Sequence, residues 1–533
     1  MTKKDDNVSL LKPSLLIGAV TLASRLLGLI RVRLEATVLG GGAVASAWLL
    51  AFSIPNLFRR LLGEGALGTA LTPLIAGIEK ENGKMQLKKE LAVVFAVLSA
   101  VLAGIVIAVS AGALLLRYWA SDRQIGYFCN QRMYLALQLL PLLMPYAFFM
   151  CLVGAATSVL NYVRIFVLPA CGALLLNIFL ISGLIAGLKL NISLAELPAF
   201  LPVLSILVLV SGLCQLIMTA LLLFFSGYFP VIDWKTVRNS TVIKKLWKLS
   251  LPGMIAASVL QISFLIDRML AAKLNDQAIP ALAFVDRLID LPIGLFAVSM
   301  GAVLMSSMSH AAADNDLIKL KEQMLFSLRH VYFVCVPMGL SVIFFHVPLL
   351  RMLCLGGNYT ASDLDAARMV AVFYGAGIPF FCSLKILLPA FYARKEMKKP
   401  LFASICAIST NVILNLLLMS PMKQGGIALA TTISSVLNNT ILLLFLRKDD
   451  LLPDMKIMLF TAVRSVVLSF AVMFSLKTVY DLFASVTQTN RLTDAAATVM
   501  LFVFAGVLYI VSSLLFRAPE VRELFAVVLR RKK

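Results

Sequence analysis

The sequence predicts an all-α integral membrane protein of about fourteen transmembrane helices, arranged as two six-helix lobes around a central cavity with two helices appended. Three observations carry that prediction. The 533-residue chain is 60% hydrophobic and only 14% charged, with a mean hydropathy of +0.93, whereas soluble domains carry roughly 25% charged residues. Apolar runs of about twenty residues, long enough to cross a hydrocarbon core, recur along the chain. They lack the alternation of barrel strands, so the backbone must satisfy its polar groups inside helices. Finally, two halves of the chain match at a fixed offset.

The runs place spans at 14–38, 43–77, 90–116, 133–160, 165–188 and 198–227, then at 242–270, 278–309, 326–350, 364–392, 399–419 and 424–446, and last at 456–479 and 495–516. The first is too long for the apolar region of a signal peptide, so the chain is expected to insert intact. The separators are short and polar or basic. Lys80, Lys84, Lys88 and Lys89 follow the second span; Lys235, Arg238, Lys244 and Lys245 flank the start of the seventh; Arg394, Lys395, Lys398 and Lys399 precede the eleventh; Arg530, Arg531, Lys532 and Lys533 end the chain. Basic residues in alternate loops put those loops, and both termini, on the cytoplasmic side. Arg117, Arg123 and Arg132 around the loop after the third span depart from this pattern. Sorting across a membrane thus accounts for the net charge of +21 without a nucleic-acid partner. Trp119, Trp234 and Trp247 fall at span ends, where interfacial tryptophans belong.

The repeat joins "LIRVRLEATVLG" from Leu29 to "LIDRMLAAKLND" from Leu265, 236 positions apart. At the same offset "GAL" at Gly65 meets "GAV" at Gly301, and Pro55 falls one position from the counterpart of Pro292. "NYVRIFVLP" (Asn161 to Pro169) and "YARKEMKKP" (Tyr392 to Pro400) both join spans through a basic turn ending in Pro. The lobes are accordingly expected at 14–228 and 242–446, with a helix pair at 456–516. Repeats of an even number of spans are parallel, a transporter plan with its site between them.

Enzyme chemistry finds no foothold. The eight cysteines are scattered, without CxxC or Cys/His spacing, and read as core residues. His310, His330 and His346 stand alone, and no phosphate loop or nucleophile series occurs.

Charges inside the spans are the informative exceptions, because each costs at least roughly 2.5–3.5 kcal/mol to insert and therefore faces a partner or a water-filled cavity. Arg25, Arg31, Arg59, Arg60 and Glu64 lie in the first two spans; Asp286, Arg287 and Asp290 lie on the eighth and Lys385 on the tenth. Arg60 and Glu64, four apart, can neutralise each other. Arg59 points about 100° away and is expected to lack a local partner. Arg33 and Arg268 suit snorkelling to headgroups, a reading also open for Arg25 and Arg31. Arg59 and Arg287 have apolar sequence on both sides and fit it less well. Arginines converging on a cavity call for an anion, and the guanidinium fork matches a diphosphate. Asp267, Asn411, Asn415 and Thr431 offer oxygens of the kind a hard cation takes, and equally suit hydrogen bonding between helices.

"SRLLGLIR" (Ser24 to Arg31), "AFSIPNLFRRLLGEGALGTALTP" (Ala51 to Pro73), "DRLIDLPIGLF" (Asp286 to Phe296) and "LLPAFYARKEMKKP" (Leu387 to Pro400) resemble the MurJ, or MviN, lipid II flippases of the multidrug/oligosaccharidyl-lipid/polysaccharide (MOP) exporter superfamily. The resemblance implies fourteen helices and export of undecaprenyl-diphosphate-linked peptidoglycan precursor across a bacterial cytoplasmic membrane by alternating access. Carried over, substrate-binding roles fall on Arg25, Arg31, Arg59 and Arg287. Supporting or gating charges are Arg60, Glu64, Asp286, Asp290 and Lys385. No cofactor is implied beyond a possible coupling sodium, which some relatives bind at positions matching Asp267, Asn411, Asn415 and Thr431. A groove near the last two spans would keep the polyprenyl tail in lipid. Where such proteins often carry Asp after the second arginine and early in the second span, this chain has Val32 and Ser46, so Asp286 or Glu64 is expected to supply the missing carboxylate. Partners implied are lipid II, membrane lipids and cell-wall synthesis proteins, with a monomeric transporter. Other readings are a drug or polysaccharide-lipid exporter of the same superfamily, which should lack clustered arginines, and a non-transporting scaffold, which should carry a cytoplasmic binding domain. Two unequal lobes in one chain disfavour a channel.

Overall fold

The computed structural model describes residues 3–63, 66–123, 131–233, 236, 240–314, 316–394, 396–487 and 491–523. Glu64, Trp234, Lys235, Arg238, Lys395 and the basic tail from 530 lie outside them. In chain order the helices are α1 (Lys3–Leu39), α2 (Ala43–Phe58), α3 (Ala66–Arg123), α4 (Gln131–Tyr162), α5 (Val167–Lys189), α6 (Leu197–Phe225), α7 (Val242–Ala271), α8 (Ala278–Pro292), α9 (Val298–Ala313), α10 (Leu317–Leu353), α11 (Ala361–Ala393), α12 (Lys398–Lys448), α13 (Met455–Thr487) and α14 (Arg491–Leu515). Short π-helical segments follow α2 (Arg59–Gly63) and α8 (Ile293–Ala297). Among the described residues, nine helices are long and apolar enough to cross a membrane.

Helices and expected spans are not one to one. α3 and α12 are each long enough to cross twice, and each is broken once: at Gly83 (φ 80°, ψ 167°) in α3 and at Lys423 (φ 50°, ψ −132°) in α12. Both breaks fall in the polar links expected between the second and third spans and between the eleventh and twelfth. Conversely, the second and eighth expected spans are each divided by a π-segment.

The chain forms two compact units, Met1–Pro280 with Gly356–Tyr359, and Ala281–Leu355 with Thr360–Lys533. In the first, α3 packs along α4 and α7, α4 along α2 and α6, and α1 along α5. Its core joins Leu71 and Leu91 of α3, Val159 of α4, Leu223 of α6 and Leu246 of α7. The seventh expected span, α7, therefore packs with the first unit. In the second unit α11 packs between α10 and α12. The approach of α10 to α11 requires glycine: a Cβ on Gly339 would stand 2.5 Å from the Gly375 carbonyl oxygen, the small-residue contact by which membrane helices come close. The last two helices dock on α10, around Phe333 with Leu468 and Tyr509 and around Phe345 with Met473 and Ala505.

Charged groups at helix ends are organised. Arg394 bonds Asp449 at 2.9 Å and Glu396 at 2.6 Å, and Lys399 joins the same two acids. Burial pushes the Asp449 carboxyl up, but its bonds from Lys399 and Arg394 prevail and hold it below the usual carboxylate value. Trp119 and Trp247 are exposed, as an interfacial position requires. The fourth tryptophan, Trp48, is buried and stacks on Phe52 at 5.9 Å.

Candidate functional site

Each of the two π-segments lies beside a functional-looking arginine. Pro55 and Pro292 sit within a few residues of them, on the N-terminal side. The segments begin at Arg59 and Ile293, close to the offset of the sequence repeat. Interrupted helices at corresponding places in two halves are the backbone signature of a transporter binding site, since the loosened turns expose polar groups and re-aim side chains.

In the first unit, Arg25 on α1 is half-buried. Arg31 is buried, with 7% of its surface exposed. Its Nη1 donates to Asn177 Oδ1 on α5 at 3.1 Å, and its Nε lies 3.5 Å from Glu35 Oε1 one turn along α1. Asn177 in turn donates from Nδ2 to the Ser24 carbonyl at 3.1 Å. Arg59 is half-buried, and its Nε donates to Asn56 Oδ1 at 2.8 Å. The expectation that Arg59 lacks a local partner is corrected: a side chain three residues earlier reaches it, at the i,i+3 spacing of helix neighbours. Arg60 lies 5.8 Å over the Phe264 ring of α7. Its expected pair with Glu64 falls outside the described residues.

Three further observations concern α1, α2 and α7. A carboxylate beside Arg31 is that of Glu35, an i,i+4 neighbour; Glu64 lies outside the described residues. Ser46 is buried and donates to the Asp276 backbone carbonyl, so the position expected to carry an acid holds a helix to a loop instead. Arg268 does not snorkel: it is buried, donates to the Ile279 carbonyl at 2.8 Å and lies 4.9 Å over the Phe264 ring. The outlying Arg132 is also buried, with Asp276 at 2.9 Å.

In the second unit, Arg287 on α8 pairs with Asp290 at 3.4 Å, with side chains 38% and 51% exposed. Asp286 is half-buried and Lys385 on α11 is exposed. Asn411, Asn415 and Thr431, all on α12, form a chain: Asn415 Nδ2 donates to Asn411 Oδ1 at 3.0 Å, Asn411 Nδ2 to Thr431 Oγ1 at 3.3 Å, and Thr431 Oγ1 to the Ile427 carbonyl at 2.9 Å. Asp267 is buried on α7 in the first unit. Among the described residues no three His, Cys, Asp or Glu side chains gather as metal ligands. The oxygens on α12 are of the right class for sodium; those of Asn411 and Thr431 accept bonds within this chain, as polar glue would, whereas Asn415 Oδ1 is buried without a hydrogen-bond partner.

Sequence reasoning missed Glu35, although its spacing from Arg31 was legible, and Asn177, a single amide in the apolar run of α5. It also missed Glu520, fully buried beyond α14, which accepts from Arg329 at 2.9 Å and 3.0 Å and pairs with Arg464. Only the fold brings those residues together.

Nine helices long and apolar enough to cross a membrane among the described residues, with two shorter helices that run into π-segments near arginines, define a multi-pass membrane transporter. The family model of the lipid II flippase MurJ matches residues 35–515. A probable lipid II flippase MurJ of Rhizobium tropici is 30% identical over 432 residues, covering 81% of this chain and 80% of its own. The lipid II flippase MurJ of Burkholderia cenocepacia is 29% identical over 445 residues, covering 83% and 84%. The chain belongs to the MurJ family of lipid II flippases, and is a transporter rather than an enzyme. Its fold is that of a solved MurJ in an inward closed conformation (TM-score 0.74, 23% identity, 94% of this chain and 99% of that one). An inward-facing multidrug resistance transporter of the MATE family, in the MOP superfamily, shares it more distantly (TM-score 0.62, 14% identity, 81% and 98%).

Proposed function

We infer that this chain carries lipid II from the inner to the outer leaflet of the bacterial cytoplasmic membrane, supplying cell-wall synthesis. The family match over residues 35–515 is the observation that carries this reading, and the arginines beside the two π-segments supply its chemistry. A diphosphate offers several anionic oxygens, and Arg25, Arg31, Arg59 and Arg287 are the guanidinium groups assigned to it. Asp286, Asp290, Arg60, Glu64 and Lys385 are assigned to balancing and gating charge. The two repeat lobes, 14–228 and 242–446, rock to expose the site to each side in turn. The polyprenyl tail stays in lipid along the 456–516 pair, since each methylene moved into water costs about 0.8 kcal/mol. In this reading the protein is a monomer with both termini cytoplasmic, and it delivers its product to cell-wall polymerising enzymes.

The test is leaflet accessibility of labelled lipid II in cells whose own flippase is depleted. Wild type should restore surface exposure and Arg59→Ala should not; equal behaviour of the two, without restoration, removes the assignment. Cysteines placed close to the two ends of the chain, at positions 5 and 530, in a background without the native cysteines, should react only with membrane-permeant reagent if both termini are inside. As a subsidiary proposal, a sodium gradient drives export, with Asp267, Asn411, Asn415 and Thr431 as its ligands. Oxygen chemistry supports it. Replacing Na+ by K+ should then stop translocation, and unchanged transport in K+ overturns it.

A further inference from the structure

His330, 1% exposed on α10, lies against the segment 518–523 that follows α14. Its Nδ1 stands 2.8 Å from the carbonyl oxygen of Phe326, one turn earlier. A carbonyl oxygen only accepts, so this nitrogen carries a hydrogen and donates it. In a neutral imidazole the other nitrogen, Nε2, is then a bare acceptor. What it meets is Glu523 Oε2 at 3.3 Å, which is also acceptor-only when ionised. Both atoms are buried, and neither finds a hydrogen-bond partner elsewhere.

Two acceptors turned towards each other away from water repel, and each forfeits the bond that water would have given it. A single proton removes both defects. On Nε2 it makes an imidazolium that donates to the carboxylate; on Glu523 it makes a carboxyl that donates to the imidazole. The charged groups around the pair are Arg329 of α10, Arg464 of α13, and Glu520 of the same segment as Glu523, with Arg522 exposed beside them. The two buried-side arginines oppose an imidazolium, but Glu520 holds both of them. Glu523 Oε1 lies 3.6 Å from Arg329, and Oε2 is turned to the histidine. The Phe326 ring, with its centroid 4.2 Å from that of the imidazole, favours the cationic form.

Glu520 anchors the segment by itself: fully buried, it accepts from Arg329 at 2.9 Å and 3.0 Å and from Thr461 at 3.2 Å. Ala518 and Val521 pack with Phe333 alongside it. The contact of Glu523 with His330 adds a second tie, and only a proton makes that tie attractive. We propose that His330 and Glu523 form a proton-binding site, which fastens the end of the segment after α14 to α10. The tie is present while the proton is bound and is lost as rising pH removes it, with Glu520 keeping the rest of the segment seated.

The experiment is nitrogen-15 NMR of histidine-labelled full-length protein in lipid nanodiscs, from about pH 5 to 8, the range in which histidines change charge. The chain has three histidines, so His310→Gln/His346→Gln leaves the signal of His330 alone; if that variant does not fold, the signal missing from His330→Gln identifies it. Both ring nitrogens should be protonated at the acid end, with Nε2 losing its proton as pH rises. In Glu523→Gln the midpoint should fall by at least about one pH unit, a tenfold weaker hold on the proton. Hydrogen exchange at residues 522 and 523, corrected for intrinsic rate, should quicken about threefold across the same range in wild type and lose that dependence in Glu523→Gln. A bare Nε2 at every pH, or a midpoint unmoved by Glu523→Gln at unchanged melting temperature, overturns the site. Exchange at 522 and 523 that ignores pH in wild type overturns the fastening.

Discussion

Arg31 with Glu35 on α1 and Arg287 with Asp290 on α8 are nearly the same object in sequence: an arginine followed one turn later by an acid, in a strongly apolar helix. Their distances agree too, at 3.5 Å and 3.4 Å. Their surroundings do not. The first pair has side chains 8% and 7% exposed, the second 38% and 51%. The second pair is the more open of the two, while the first is enclosed by the helices around it. Pairing within a helix is therefore a local matter, and function is decided by what the rest of the unit packs around the pair.

The contrast is broken most directly by removing each acid. Glu35→Ala leaves a buried guanidinium without its carboxylate and should cost about 3–5 kcal/mol, whereas Asp290→Ala should cost less than about 1 kcal/mol; denaturation of the purified protein in detergent reads both, and similar losses would end the distinction. Next in size, Arg287→Ala should lower lipid II translocation at least about tenfold, or 1.4 kcal/mol, with its melting temperature intact. If transport and stability fall together, Arg287 acts through the fold rather than on the substrate.

Glu520 sharpens the comparison at a membrane-external position. Burial raises its carboxyl, but its own backbone bond and the Arg329 and Arg464 guanidinium groups outweigh burial and bring it below the ordinary 4.5. A depressed carboxylate stabilises above its unfolded value and loses that contribution as pH falls through its folded one. Hydrogen exchange, corrected for intrinsic rate, should show residues 518–523 protected at neutral pH and released only on acidification below about 4.5; Glu520→Gln should abolish that pH dependence. The smallest effect is expected on α12, where Asn411→Ala breaks a hydrogen-bond chain worth about 0.6 kcal/mol per link. A much larger loss of transport than of stability there, confined to sodium buffers, would favour the coupling ion.

Much of the architecture was legible in the chain. Apolar run length and the Gly83 and Lys423 positions, with a glycine and polar neighbours in the links, foretold where the two longest helices break. Pro55 and Pro292 marked the vicinity of the π-segments, on their N-terminal side. The arginines were legible as well, since a charge in an apolar run stands out against its cost. What could not be read was which arginine was already satisfied. Arg59 meets Asn56 at ordinary i,i+3 helical spacing, but Arg31 meets Asn177 across 146 positions of chain and Arg268 meets the Ile279 carbonyl around a bend; neither of these two follows from helical spacing.

The sequence by itself determined that this protein is a helical membrane transporter of the MurJ family and which side chains carry charge into its spans, because insertion energetics and proline chemistry act locally along the chain. Only the tertiary structure decided the roles of those charges. The free energy of an ion pair depends on what surrounds it, and the surroundings are set by helices that are distant in sequence: α5 packs over Arg31, while among the described residues the Arg287 pair stays 38% and 51% exposed.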